Sequence, residues 1–485
     1  MICNDRRPLL SCGSHAEISI VPDVECDHKH SIRQLLPMLE YPGVDKCAAY
    51  YGCVVNELVS LNERHLQPTP IATPERRGLY EQAFQLMLKK VRPTVLTKLS
   101  VEQVLRRLPQ CKRRKYLNAS IELQTSGEPS AMSMVRAFLK HEKFSDEFSD
   151  PLEMKPARMI QHRSDVYCLM LAQYLKPVED LVFKKYAGRW VKPSKRMFVK
   201  GMNSWQVGRN IAATDKFSDT AWVLFDHSKF DAHVNDDVYD YLRRFIYMCY
   251  PNDPHIKRLM RMQSHNKCVT RNGIRYKSTG TLMSGEYNTS LGGCFINAMI
   301  TGWVLRNVVS YQRYNGDDGV VAISRAELAL IDYADFARMG FKTKMDVVYD
   351  INMIDFCQCK PIRVSGCWRM VRNPLRVMSR TAYTTKTLTG NGWLKLATAI
   401  GKGEHACNTG VPVLQSFSNM IIRSGRGHYS QSLFEEYMFM RSDGDSDDAV
   451  VTAEARIDFA VAFGMSPTEQ ISLEACFDRM DLLVL

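Results

Sequence analysis

The sequence predicts an α+β fold assembled from two or three packed subdomains, and three observations carry that expectation. A chain of 485 residues is too long for one simple core. Residues 221–375 alternate short apolar strands with helical segments, and residues 376–485 read as mainly helical. Apolar residues make up 45% of the chain and charged residues 24%, ordinary globular values that exclude disorder as the default.

The first element, residues 1–75, is rich in Cys, His and Pro. It reads as an irregular N-terminal arm with a linker at Gln67-Pro68-Thr69-Pro70. Cys26, His28 and His30 hint at zinc, but C-x-H-x-H matches no finger spacing and no C-x-x-C accompanies it, so a zinc site is not expected there. The 15 cysteines follow no repeating frame. Arg6 and Arg7 are not followed by the apolar core of a signal peptide, and no window approaches 18 uninterrupted apolar residues. Reduced thiols, a cytosolic setting and no membrane span are expected. Residues 76–125 then read as basic helix, with Phe84, Leu88 and Val91 at helical spacing, and residues 130–220 as strands and loops with many cations. The net charge of +12 suits a polyanionic partner, although a merely basic soluble enzyme fits equally well.

Three segments of the core carry candidate chemistry. In Trp222-Val223-Leu224-Phe225-Asp226, four apolar residues predict a short buried strand that ends on a poorly solvated carboxylate. Taken singly, Asp226 reads as a cap of the following turn. Ser284-Gly285-Glu286-Tyr287-Asn288-Thr289 opens a helix whose stripe of Leu291, Cys294, Phe295, Ala298 and Met299 is core. Its polar head suits contact with a sugar or phosphate, or a plain helix cap. Asn307–Ser310 and Val320–Ile323 flank Tyr314-Asn315-Gly316-Asp317-Asp318-Gly319, a predicted hairpin with an Asn-Gly turn and two adjacent carboxylates that a divalent cation would relieve. Together the segments place carboxylates on separate strands, as two-metal phosphoryl transfer requires. Farther on, Asp443, Asp445, Asp447 and Glu454 follow a calcium-loop spacing. Asp448 stands where that turn needs Gly, so a solvated loop is expected.

These residues resemble the RNA-dependent RNA polymerases of positive-strand RNA viruses, most closely the tombusvirus-like group. Asp226-x-Ser228-x-Phe230-Asp231-x-His233-Val234 is similar to that family's motif A, Ser284-Gly285-x-x-Asn288-Thr289 to motif B and Gly316-Asp317-Asp318 to motif C. Gly340-Phe341-Lys342-Thr343-Lys344 resembles motif D, and Phe356-Cys357-Gln358 the motif that steadies the primer end. Upstream, Phe138 to Lys143, Lys155 to Arg163 and Phe198 to Arg209 resemble basic fingers motifs; downstream, Gly410 to Gln415 and Phe459 to Gln470 look like thumb. The likeness runs from about Lys112 to the C-terminus.

The resemblance implies a right hand: fingers at 76–220, a palm of antiparallel sheet and helices at 221–375 with an inserted fingers segment at about 251–278, and a mainly helical thumb at 376–485. It implies template-directed RNA synthesis from ribonucleoside triphosphates with two Mg2+ or Mn2+ ions. Asp226 and Asp317 would be the principal metal ligands, with Asp318 assisting. Asp231 would read the ribose. Ser284, Gly285, Asn288 and Thr289 would line the nucleotide site, and Arg158 and Arg163 would clamp the triphosphate. Lys344, ahead of Lys342, would protonate the leaving pyrophosphate. The partners implied are template and nascent RNA, nucleoside triphosphates, and other viral replication proteins that supply attachment to membrane-bound complexes in the host cytoplasm.

The chain departs from the family at Gly293, where relatives carry an Asn that senses the 2′-hydroxyl. Asn297, one turn on, reads as a satisfied polar residue of the core. Gly293→Asn is therefore expected to sharpen selection of ribose. Gly319 stands where many relatives carry Cys, and Glu286-Tyr287 replaces the usual Asp-Met. A reverse transcriptase would carry an aromatic residue two positions before its Asp pair, where this chain has Asn315. A binding factor with a dead palm would lack the intact Asp226, Asp317 and Asp318. No G-x-x-x-x-G-K-[ST] loop suggests a helicase.

Overall fold

In chain order the longer strands are β1 (Ala16–Ile20), β2 (Val135–Leu139), β3 (Met159–His162), β4 (Thr220–His227), β5 (His265–Thr270), β6 (Arg275–Thr279), β7 (Tyr311–Asn315), β8 (Asp318–Ser324), β9 (Thr343–Val348), β10 (Cys359–Val364) and β11 (Cys367–Arg372). The helices that matter for the site are α1 (Val54–Ser60), α2 (Pro74–Lys90), α3 (Asp165–Lys184), α4 (Asp236–Cys249), α5 (Thr289–Val304), α6 (Gly392–Asn408), α7 (Leu414–Ser424), α8 (Ala453–Phe463) and α9 (Pro467–Arg479). The computed structural model describes residues 3, 8, 10–23, 26, 32–37, 39–70, 73–145, 155–437 and 447–480. The fold is α+β, as the sequence predicts.

The central sheet has the order β7-β8-β4-β9 and is antiparallel throughout. Strand alternation buries both of its faces. Ala221, Val223, Phe225, Val321 and Ile323 enter the main core, while Trp222, Val320 and Ala322 pack with Ile211, Ile354 and Phe356. Helix α5 lies in the main core between α2 and α4. Ile296 and Ile300 are fully buried beside the expected stripe, as are the polar Asn297 and Thr301, so α5 is an enclosed helix rather than a one-sided amphipathic one. Phe295 meets Phe245 of α4 at 4.9 Å and Phe84 of α2 at 6.4 Å.

The hairpin differs in detail from its expectation. Asn307–Ser310 is loop, with Val309 61% exposed, and the strand begins at Tyr311. Two of its polar residues tolerate burial because they are hydrogen-bonded: Gln312 accepts from Lys90 at 2.6 Å and from the Tyr314 hydroxyl at 3.1 Å, and Arg313 donates to the carbonyls of Asn210 and Gln312. The turn residues are Gly316 and Asp317, since Asn315 pairs with Asp318. Gly316 has φ +75°, which a Gly adopts freely.

A second sheet has the order β1-β6-β5-β2-β3, with β5 and β2 parallel and the other pairs antiparallel. The reading of residues 1–75 as an irregular arm is corrected here. β1 supplies an edge strand, and Leu58, Leu61 and Leu66 share a core with Val135, Leu139, Met159 and Tyr276. Helix α1 continues directly into a wider turn at Leu61–His65. After α4 the chain crosses to this sheet as β5 and β6 before returning to α5.

The described part of residues 376–485 is mainly helical. It packs Leu396, Val413, Leu414, Phe417, Phe459 and Phe477 against the β10–β11 hairpin. Gly401 permits the close approach of α6 and α7, where a Cβ would stand 2.8 Å from the Ile422 nitrogen. Of the calcium-like spacing, Asp443 and Asp445 lie outside the described residues. Glu454 is paired with Arg363 at 2.8 Å, and Asp448 with His405 at 2.6 Å. No helix among the described residues is long and apolar enough to cross a membrane.

Candidate active site

One end of the central sheet gathers the acidic residues. Asp226 is the penultimate residue of β4, Asp317 sits in the β7–β8 turn and Asp318 opens β8. The pairing of Gly319 with Phe225 brings Asp318 level with Asp226 one residue farther on. Asp226 is exposed, a correction to the expected poorly solvated carboxylate: alternation turns Phe225 and His227 inward and Asp226 outward. Asp317 is exposed and Asp318 half-buried. Burial, then the Asp317 and Asp226 charges, push the Asp318 carboxyl up to about 6, against a hydrogen bond with Cys357.

Asp231 follows in the short helical turn after β4. Burial and the Asp317 charge push it up to about 7, while Arg64 and Arg158 act in the opposite direction. Arg158 is 53% exposed and 3.7 Å from Glu142. Arg64 was not singled out from the sequence, because it lies in the part that looked irregular. It feels both Asp231 and Asp317. Lys229 draws that part inward by donating to the Glu63 carbonyl at 2.5 Å and the Gln67 side chain at 2.7 Å. Lys344 lies directly opposite Asp226 on β9, so both side chains share a face. It is 72% exposed and paired with Asp346 at 3.0 Å.

A buried polar network holds the acidic turn. Asn297 of α5 donates to the carbonyls of Gly316 at 3.1 Å and Asp317 at 2.7 Å, and accepts from Thr301 at 3.0 Å and His227 Nε2 at 3.1 Å. It is thus the satisfied polar residue expected, with no valence left for a sugar. Cys294 accepts from the Gly316 N–H at 3.1 Å. His227 Nδ1 accepts from Thr343 at 2.8 Å in the tautomer this network requires, and burial lowers its pKa to about 4. His227 also escaped the sequence reading.

The segment before α5 is tied more tightly to protein than its sequence suggested. Gly285 serves close packing: a Cβ there would meet the Gln161 carbonyl at 2.8 Å and Ile160 at 2.9 Å. Ser284 donates to the Met159 carbonyl, and Thr289 to the carbonyls of Met283 and Glu286. Asn288 is fully buried and donates to Tyr239 and Gln263, which withdraws it from the expected nucleotide contact. Arg163 is corrected in the same sense. At 1% exposure it pairs with Glu286 and donates to the Ser133 carbonyl and Asn266, so its fork is spent inside the protein and cannot clamp a triphosphate.

Comparisons with known proteins show the family. A family model described as viral RNA dependent RNA polymerase matches residues 31–484. The chain belongs to the viral RNA-dependent RNA polymerase family. Similar proteins include the RNA-directed RNA polymerase of Tobacco necrosis virus (strain D), 29% identical over 453 residues, which are 86% of this chain and 59% of that protein. That of Turnip crinkle virus is 31% identical over 368 residues (72% and 46%), and that of Tomato bushy stunt virus (strain Cherry) 29% over 388 residues (76% and 46%). The chain spans about half the length of these relatives. The family match begins well upstream of the Lys112 limit of the sequence motifs and takes in Arg64.

Members of this family use divalent metal ions, and the residues present fit such ions. The carboxylates offer hard oxygen ligands, and Asp318, its carboxyl raised by burial and then by the Asp317 and Asp226 charges, would be relieved by a divalent cation. Among the described residues, three ligand atoms converge within 4.8 Å only at a cysteine cluster elsewhere.

Proposed function

We propose that this chain copies a viral RNA template from ribonucleoside triphosphates and so replicates a positive-strand RNA genome. The observation that carries this reading is the meeting of Asp226, Asp317 and Asp318 at one end of a single sheet, with Asp231 close enough to feel the charges of Asp317, Arg64 and Arg158. Asp226 and Asp317, assisted by Asp318, would hold two Mg2+ or Mn2+ ions. When bound, these supply Lewis-acid activation of the 3′-hydroxyl and charge for the leaving pyrophosphate. Asp231 accepts a hydrogen bond from the ribose. Arg158, together with Arg64, holds the triphosphate. Lys344 gives its proton to the leaving group from the face it shares with Asp226. Ser284, Gly285 and Thr289 form the wall beneath the nucleotide.

In this reading residues 76–220 and the second sheet form fingers, 221–375 the palm with its insertion at about 251–278, and 376–485 the thumb. Other viral replication proteins supply membrane attachment in the host cytoplasm. The test is primer extension on an RNA template with purified protein, Mg2+ or Mn2+ and all four ribonucleotides. Asp317→Ala should abolish nucleotide addition while RNA binding, which comes from many dispersed cations, survives. Near-normal extension by that variant would remove the metal assignment. Equal use of deoxynucleotides by the wild type would point to a reverse transcriptase.

A further inference from the structure

Away from the acidic end of the sheet, three thiols from separate stretches of chain meet at the start of α1. The sulfurs of Cys3, Cys26 and Cys53 all lie within 4.8 Å of one another, and Cys3 Sγ is 3.5 Å from Cys53 Sγ. Thiolates bound tetrahedrally to zinc at about 2.3 Å stand roughly 3.8 Å from each other. The observed spacing therefore matches a shared metal. A disulfide would join only two of the three, at about 2.05 Å.

We propose that Cys3, Cys26 and Cys53 bind a structural Zn2+ ion that fastens the N-terminal segment to the beginning of α1. The chemistry is that of a soft, thiolate-rich site, which selects zinc and rejects the Mg2+ suited to carboxylates. Zinc takes the place of the thiol protons, so binding strengthens as pH rises. The Asn56 N–H already points at the Cys53 sulfur, a hydrogen bond that favours thiolate. The expectation from C-x-H-x-H spacing missed this site because its partners are distant in sequence. Cys26 finds Cys3 and Cys53, whereas His28 and His30 lie outside the described residues. The clamp also has a mechanical consequence, since α1 runs without a break into the turn that carries Arg64.

The test uses the full chain, loaded with zinc under reducing conditions and freed of excess metal. One zinc per chain is expected, with an X-ray absorption shell dominated by sulfur at about 2.3 Å. Cys3→Ser, Cys26→Ser and Cys53→Ser should each lose the metal, whereas Cys12→Ser should keep it. Cobalt loading of the wild-type chain should give thiolate-to-metal charge-transfer bands, a readout that requires no variant to fold. A chain that binds no zinc overturns the proposal, as do variants at all three positions that keep the wild-type zinc content, or cobalt spectra without thiolate bands. So does a Cys3–Cys53 disulfide found by mass spectrometry in metal-free protein isolated from cells.

Discussion

Position 293 faces the backbone of the acidic turn. A Cβ on Gly293 would stand 3.4 Å from Gly316 Cα and 3.7 Å from its carbonyl carbon, so a longer side chain pushes on the turn that carries Asp317. The resemblance implies that Gly293→Asn sharpens selection of ribose; the packing argues for a different outcome. The variant should lose kcat by tenfold or more, about 1.4 kcal/mol, with the ratio of kcat/KM for GTP and dGTP little changed, and Gly293→Ala should be nearly silent. A raised ratio at preserved kcat would restore the sugar-sensing view. His227 makes a separate claim on pH. Its pKa is lowered by burial to about 4 from the ordinary 6.5, so the folded chain binds fewer protons than the unfolded chain between those values. The contribution is complete above pH 6.5 and is lost as pH falls through 4, about 3 kcal/mol in all. His227→Gln should flatten the fall of Tm over this window, and parallel curves for the two proteins would refute the assignment.

Between elements, the decisive contact is the ion pair that joins the end of β3 to the segment before α5. Arg158 and Arg163 look alike in sequence, five positions apart in one basic stretch, yet one is 53% exposed and the other 1%. Breaking a buried pair from one side leaves an uncompensated charge, at a cost of about 3–5 kcal/mol. Arg163→Ala should therefore lower Tm sharply. Arg158→Ala should leave Tm in place and raise the apparent KM for nucleotides more than it weakens template binding. Replacing Arg163 and Glu286 together by Met and Leu should recover much of the lost stability; equal Tm for the two single variants would place both arginines at the surface. The contrast also shows what local pattern conveys. The strand at Trp222, the helix from Leu291 and the paired aspartates of the hairpin were legible, because periodicity and turn chemistry are local. The burial of Arg163, Asn288 and His227 was not, since each depends on partners from distant segments that satisfy it.

Over the whole molecule, the α+β class and the acidic end of the core followed from length, alternation and motif order, but the place of the N-terminal part did not. β1 reads Ala-Glu-Ile-Ser-Ile and stays largely exposed, so it offers no strong apolar signal. Its strand state comes from pairing with β6, some 250 residues away, as in the match of Ala16 to Ser278 and Ile18 to Tyr276. Such a strand is held by the sheet it joins more than by its own propensity. Removing residues 1–20 should therefore bare the edge of β6, lower Tm and promote self-association, because an unpaired edge is a template for another chain. The deletion also removes Cys3, so Cys3→Ser in the full chain separates the two effects. Loss of the thiol alone should lower Tm without self-association, while loss of the strand adds aggregation measurable by light scattering. A shortened chain that stays monomeric with unchanged Tm would mean that β6 is stable as an edge and β1 is dispensable to the sheet.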